Sequence, residues 1–222
     1  MSMSDTPSSM RPVHAGRVAD DVGRALVDAA HRVLADEGPF ALTVRRVAQV
    51  AGVSTMNVYS RFGGKDGLVE QLFIDGFVRL GERMKSQELT DDAFEDLRAC
   101  GLEYRRWALE NPTYYMVMFD TVVPDWRPSP AAEDVAIAAL QGLAARIQRA
   151  IDAGQLQATD AMSLAVSFWA TSHGLVSLEM RSTSRYEFDW PAVYEETCRR
   201  LREGFRNPPV AGDYGRFDRR TE

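Results

Sequence analysis

The side chains best suited to surface chemistry lie close together. Ser54, Thr55, Asn57, Tyr59 and Ser60 fall within seven positions, with Thr43 and Arg45 before them and Lys65 after. Hydroxyls and a carboxamide can pair with the edges of bases, and a methionine such as Met56 can touch a thymine methyl. At about 100° per residue, Val58 and Phe62 share one face of a helix over Ser54–Phe62 and point inward, while Met56, Asn57 and Ser60 fall on the opposite side. That side would face a major groove. Catalysis has no comparable set: there is no HExxH, GxSxG, P-loop or CxxC pair, and His14, His31 and His173 are scattered. No enzyme, metal or cofactor is expected. Cys100 and Cys198 lie far apart without metal spacing and read as buried thiols of a cytosolic chain rather than a disulfide.

These residues need a rigid frame, and the preceding segment provides one. Thr43 can cap a helix whose inner face is Val44, Val47, Ala48 and Ala51; Gly52 then supplies a left-handed residue and Val53 plugs the corner. Ser54 is placed to cap the next helix. Taken alone, such a corner could close any helical protein. Helical periodicity also dominates the rest of the chain, and no convincing period-2 strand appears. A first helix is expected over about Arg17–Glu37, stopped by Gly38-Pro39, and further helices over about Asp66–Ser86, Asp91–Glu110, Thr113–Val122, Ala131–Ala153, Thr159–Arg181 and Pro191–Phe205. The fold class is all-α: an N-terminal three-helix reading head followed by a larger helical bundle. The expected division is a disordered arm over 1–15, a head over 16–65, a body over 66–206 and a disordered tail over 207–222.

Charge matches this division. The whole chain of 222 residues carries −6, but Arg11–Lys65 holds eight Lys/Arg against five Asp/Glu, a net +3, whereas 66–222 holds 18 bases against 26 acids, a net −8. A small basic head on an acidic body suits a polyanionic partner. The opening residues lack the apolar run of a secretory signal, and no stretch of about 18 uncharged apolar residues could span a membrane. A cytoplasmic, nucleoid-associated protein with no membrane partner is expected.

The residues after the corner make it specific. Ala51, Gly52, Val53, Ser54, Val58, Tyr59, Phe62, Lys65, Asp66 and Leu68 stand where the N-terminal signature of the TetR family of bacterial regulators has its corner, aliphatic, aromatic, lysine, acidic and leucine positions. The resemblance covers about Arg17–Leu72. Met56 departs from it, since the family commonly has a small residue there. By resemblance, Tyr59 and Lys65 are phosphate clamps, and Thr43 offers its hydroxyl and the helix N-terminal amides to another phosphate. Arg45 matches a position that reaches base or backbone in some members, and Thr55, Asn57 and Ser60 carry direct readout. The expected DNA contacts are therefore Thr43, Arg45, Ser54, Thr55, Asn57, Tyr59, Ser60 and Lys65.

The same resemblance implies partners for the body. One head would contact few phosphates, so a homodimer on a pseudo-palindromic double-stranded operator is expected, its two recognition helices about 34–36 Å apart. Its interface would use Leu164, Phe168, Leu175 and Leu178 from one helix and Val193 and Leu201 from the last. The segment Phe168–Glu179, with Trp169, His173 and Gly174, resembles the Trp…His-Gly helix of one C-terminal subgroup. Phe77, Tyr104, Trp107, Tyr114, Met118, Phe119, Trp126, Trp169 and His173 are the candidate walls of a pocket for a small, mostly apolar or aromatic effector. Such an effector would release a repressor from its operator. A helical adaptor with a vestigial helix-turn-helix, and a regulator that activates, remain as alternatives.

Overall fold

A computed structural model of the chain describes residues 20–120, 123–124, 126–182 and 187–207. Among them are nine α-helices: α1 Asp21–Glu37, α2 Val44–Ala51, α3 Thr55–Phe62, α4 Lys65–Lys85, α5 Ala93–Glu110, α6 Pro112–Phe119, α7 Pro130–Asp152, α8 Ala161–Met180 and α9 Trp190–Gly204. A 3-10 turn at Pro39–Ala41 and an isolated antiparallel bridge between Leu156 and Arg206 complete the regular structure of these residues. The expected arm over 1–15, the start of the first helix at Arg17 and nearly all of the expected tail lie outside the described residues.

The helix ends are set by local chemistry. Asp20, in extended backbone, caps α1 by accepting the Gly23 amide at 2.7 Å, so described α1 begins four residues after the expected Arg17. Thr43 caps α2 through the Arg46 amide at 3.1 Å, and Gly52 ends it at φ 70°, a left-handed conformation that carries no Cβ penalty in glycine. Pro112 opens α6 at a position where a missing N–H costs nothing. That helix stops at Phe119 rather than continuing to Val122, because Asp120 turns extended.

The chain divides into two compact units: Met1–Gln87 with Glu103–Gly142, and Glu88–Leu102 with Leu143–Glu222. In the first, the α1 stripe of Leu26, Val27, Ala29, Ala30, Val33 and Leu34 is buried with Val47 and Ala48 of α2, Val58 and Phe62 of α3, and Leu68, Val69 and Leu72 of α4. Each such larger aliphatic or aromatic side chain contributes about 1.5–3 kcal/mol on burial, so these positions hold the three short helices against α4. The turn from α3 into α4 is tight: a side-chain carbon at Gly67 would run into the Phe62 carbonyl, so only glycine fits. Further along α4, a Cβ at Gly76 would stand 2.6 Å from Met118 Sδ, and its absence lets α6 pack closely on that helix.

The second unit is held by its own polar ties. Tyr194, 1% exposed, donates its phenol to the Gly101 carbonyl at 2.6 Å, and burial pushes that phenol above its ordinary pKa. Asp96 pairs with Arg149 and accepts from the Thr90 amide at 3.0 Å and hydroxyl at 2.9 Å. Neither Cys100, which is buried, nor Cys198, which is half-buried, is in a disulfide.

Candidate nucleic-acid interface and the aromatic interior

The recognition helix is built from its two faces. Val58 and Phe62 are 0% and 4% exposed, and they seat α3 in the first unit's interior. The other side turns to solvent: Thr55 and Ser60 are exposed, Met56 is 69% exposed and Tyr59 is 56% exposed. Asn57 is half-buried. Ser54 stands at the N-cap of α3 but makes no capping hydrogen bond, which corrects the expectation drawn from its position. Its hydroxyl is engaged by a side chain instead, accepting from Asn57 Nδ2 at 3.2 Å.

At the other end of α3, Gly63 and Gly64 adopt φ of 74° and 138°, and the Tyr59 ring lies 3.8 Å from where a Gly64 Cβ would be. Lys65 is the next residue and opens α4. Tyr59 and Lys65 therefore flank the same glycine turn between α3 and α4. Thr43 and Arg45 are exposed at the start of α2. The Thr43 oxygen is used by the cap, which leaves its hydrogen as a donor for a phosphate. Arg46 is not available in the same way, because Glu37 holds it at 2.7–3.0 Å and Gln49 at 3.1 Å.

Two residues outside the expected set join this surface. Arg61 donates to Asp20 at 2.7 Å through Nη2 and 3.3 Å through Nε, and to Asn57 Oδ1 at 2.8 Å through Nη1. The Arg61 guanidinium, then the Gly23 amide, hold the exposed Asp20 carboxyl below the usual carboxylate range. The pair joins the N-cap of α1 to the last turn of α3 across 41 positions of sequence. Periodicity within either helix could not reveal it, although Arg61 four places after Asn57 was a legible signal.

The expected pocket residues fall into separate groups. In the first unit, Phe77 meets Phe73 at 4.9 Å and Phe119 at 5.6 Å between ring centroids, Trp126 meets Phe73 at 5.6 Å, and Tyr115 meets Phe119 at 4.9 Å. Tyr114 and Met118 flank Gly76, and the Tyr114 ring stacks on His31 of α1 at 4.6 Å. Burial, then the charge of Arg79, pulls His31 below the ordinary imidazole value. Tyr104 and Trp107 are buried on α5. Trp169 and His173 pair with each other on α8 of the second unit, 5.8 Å between centroids.

On the expected dimer face, Leu178 is 61% exposed, whereas Leu164 is 3% exposed and closes the interior of its own unit. Phe168, Leu175, Val193 and Leu201 are half-buried, and Val166, not in the expected set, is 43% exposed. A cleft of about 20 Å³ opens beside Leu97, Phe168, Ser172, Tyr194 and Cys198, room for about one water and too small for the expected effector.

Known proteins share both halves of this arrangement. Residues 26–72 match the model of the bacterial regulatory proteins of the tetR family, and residues 97–201 match the tetracyclin repressor-like C-terminal domain. A helix-turn-helix-type transcriptional regulator of Mycobacterium tuberculosis, Rv1816, is 25% identical over 114 residues; the match covers 50% of this chain and about half, 49%, of that protein. Among solved structures, a protein of unknown function from Rhodococcus sp. RHA1 superposes with a TM-score of 0.73 at 21% identity, covering 85% of this chain and 97% of that one. The transcriptional regulator FadR from Bacillus subtilis, solved with stearoyl-CoA, superposes with a TM-score of 0.67 at 19% identity, covering 82% and 98%. At these identities the superpositions speak for the fold; the two domain matches, on the segments that carry the reading head and the helical body, decide the kinship. The chain belongs to the TetR family of transcriptional regulators, with that family's helix-turn-helix domain at 26–72 and its C-terminal domain at 97–201.

Proposed function

We propose that the chain is a homodimeric repressor that occupies a pseudo-palindromic operator and leaves it when a small, mostly apolar or aromatic effector binds. The observation that carries this reading is the exposed polar face of α3 ending in the Tyr59–Gly64–Lys65 corner, a surface with hydrogen-bond donors for base edges and a cation for phosphate. Thr43, Arg45, Ser54, Thr55, Asn57, Tyr59, Ser60 and Lys65 are the proposed contacts. An eight-residue recognition helix reaches few base pairs, so affinity is drawn from two heads on one two-fold axis. The second copy is proposed to cover the apolar side of α8 at Val166 and Leu178, together with α9.

The effector is proposed to enter among the rings of α4 and α6. The FadR structure holds stearoyl-CoA, a ligand with a long apolar chain. Here Phe77, Phe119 and Trp126 would part to admit a comparable apolar group, and Met118 would adapt to its shape. An effector that favours the parted arrangement shifts the population away from the one that fits DNA. The test joins three measurements on the full chain. Light scattering should give about twice the 24.8 kDa chain mass. A thermal-shift screen of aromatic and long-chain acyl compounds should find ligands that raise Tm, and the same ligands should dissociate the protein from its selected duplex. A monomer, or stabilising ligands that leave the DNA complex intact, would overturn the proposal.

A further inference from the structure

Resting on the reading that α3 enters a major groove, we propose that Asp20 sets base specificity through Arg61, orienting Asn57 so that Ser54 and Asn57 together present two adjacent donors that select guanine. A guanidinium has five N–H donors and no acceptor, so the Asn57 atom 2.8 Å from Arg61 Nη1 must be the oxygen. The Asn57 nitrogen then faces Ser54, and because that nitrogen can only donate, the Ser54 oxygen accepts at 3.2 Å. One hydrogen remains on Asn57 Nδ2 and one on the Ser54 hydroxyl, side by side at the N-terminal end of the recognition helix, the end that reaches base edges in this docking mode.

An asparagine that reads adenine aims its oxygen and its nitrogen at the same base, taking the amino group with one and N7 with the other. Asn57 cannot present that fork while Arg61 holds its oxygen along the helix. Two neighbouring donors instead match N7 and O6 of guanine, and the cytosine amino group would oppose them. Arg61 keeps this posture because its other edge is tied to Asp20 at 2.7 and 3.3 Å, and Asp20 is itself held by the Gly23 amide. Without the carboxylate, the guanidinium would turn to the nearest phosphate and Asn57 would rotate freely. Asp20 thus acts as a positioning residue from outside the helix-turn-helix, touching no base.

The experiment is selection of bound duplexes from random DNA by the full-length wild type, by D20N and by N57A, with salt titrations on the selected duplex. Asparagine is as good a helix cap as aspartate, so D20N retains α1. The wild type should prefer guanine at one position of each half-site by about tenfold or more, the scale of a single base-pair mismatch. D20N should still bind, with that preference reduced below about threefold, other positions unchanged, and a salt dependence steeper by about one unit for each freed Arg61. N57A should erase the preference at that position alone. A wild-type preference for adenine there, or a D20N protein that keeps its guanine preference, would overturn the proposal. So would equal weakening at every position, which would reduce Asp20 to a helix cap. A wild type that enriches no sequence would overturn the DNA reading beneath it as well, which separates the two failures.

Discussion

The reading head and the aromatic interior of α4 and α6 use the same kinds of side chain in opposite ways. In the head, Tyr59 is 56% exposed and Met56 69% exposed, on a helix whose other side is anchored by Val58 and Phe62. In the interior, Tyr114 and Met118 are each 6% exposed, packed around Gly76. An exposed aromatic on a rigid helix is open to a partner. A buried one is already explained by its neighbours, and any effector must compete with those neighbours for it. The head thus presents its side chains to solvent, whereas Tyr114 and Met118 of the interior are engaged with the chain's own residues.

The largest expected effect tests the interior. Phe77→Ala removes a ring that touches Phe73 and Phe119, so truncation should cost about 3–5 kcal/mol and lower Tm by roughly 6–20 °C. A loss under about 1 kcal/mol would mean that Phe77 lines open space, and the contrast with the head would weaken. Next in size is Gly67→Ala. It forces a methyl against the Phe62 carbonyl at the join of α3 and α4, with an expected cost of about 1–3 kcal/mol. Because the strain falls beside the Tyr59–Lys65 corner, DNA affinity should fall by more than Tm alone accounts for. Affinity that tracks stability alone would show that this corner does not orient the clamps.

Much of this was legible in the sequence, for reasons that differ by region. The corner at Ala51–Ser54 and the apolar pair Val58 and Phe62 are local signals of spacing and turn chemistry, and they place Tyr59, Ser60 and Lys65 within one turn of where they stand. The Asp20–Arg61 tie was not legible, because it joins residues 41 positions apart and depends on the angle at which α1 crosses α3. Leu164 shows the limit on an apolar face. Periodicity marks it like Leu178, yet one is 3% and the other 61% exposed, since the pattern cannot say whether the neighbour is the chain's own. The aromatic cluster met the same limit: composition found the rings but not which of them touch.

The smallest expected effect links the two regions. His31, on α1 of the head, stacks on Tyr114 of the interior, and its pKa lies below the ordinary value. The unfolded chain therefore takes up a proton near pH 6.5 that the folded chain resists, so the unfolded state binds more protons and stability falls as pH drops from about 7 to 5. Denaturant titrations of wild type and His31→Phe should show the wild type losing more stability over that interval. Identical pH profiles would show that the His31 contact senses neither burial nor Arg79.

Under the proposed function, the Tyr59–Lys65 corner takes phosphate and the exposed face of α3 takes bases, and two such roles would respond differently to salt. The salt dependence of affinity for a selected operator duplex, compared between wild type and Lys65→Ala, separates them. If the corner grips phosphate, log K falls linearly with log salt in both proteins, and Lys65→Ala weakens binding about equally on matched and mismatched duplexes, with a slope flatter by about one unit per head. Parallel slopes, or a Lys65→Ala protein that loses base preference at full phosphate dependence, would contradict that division of labour.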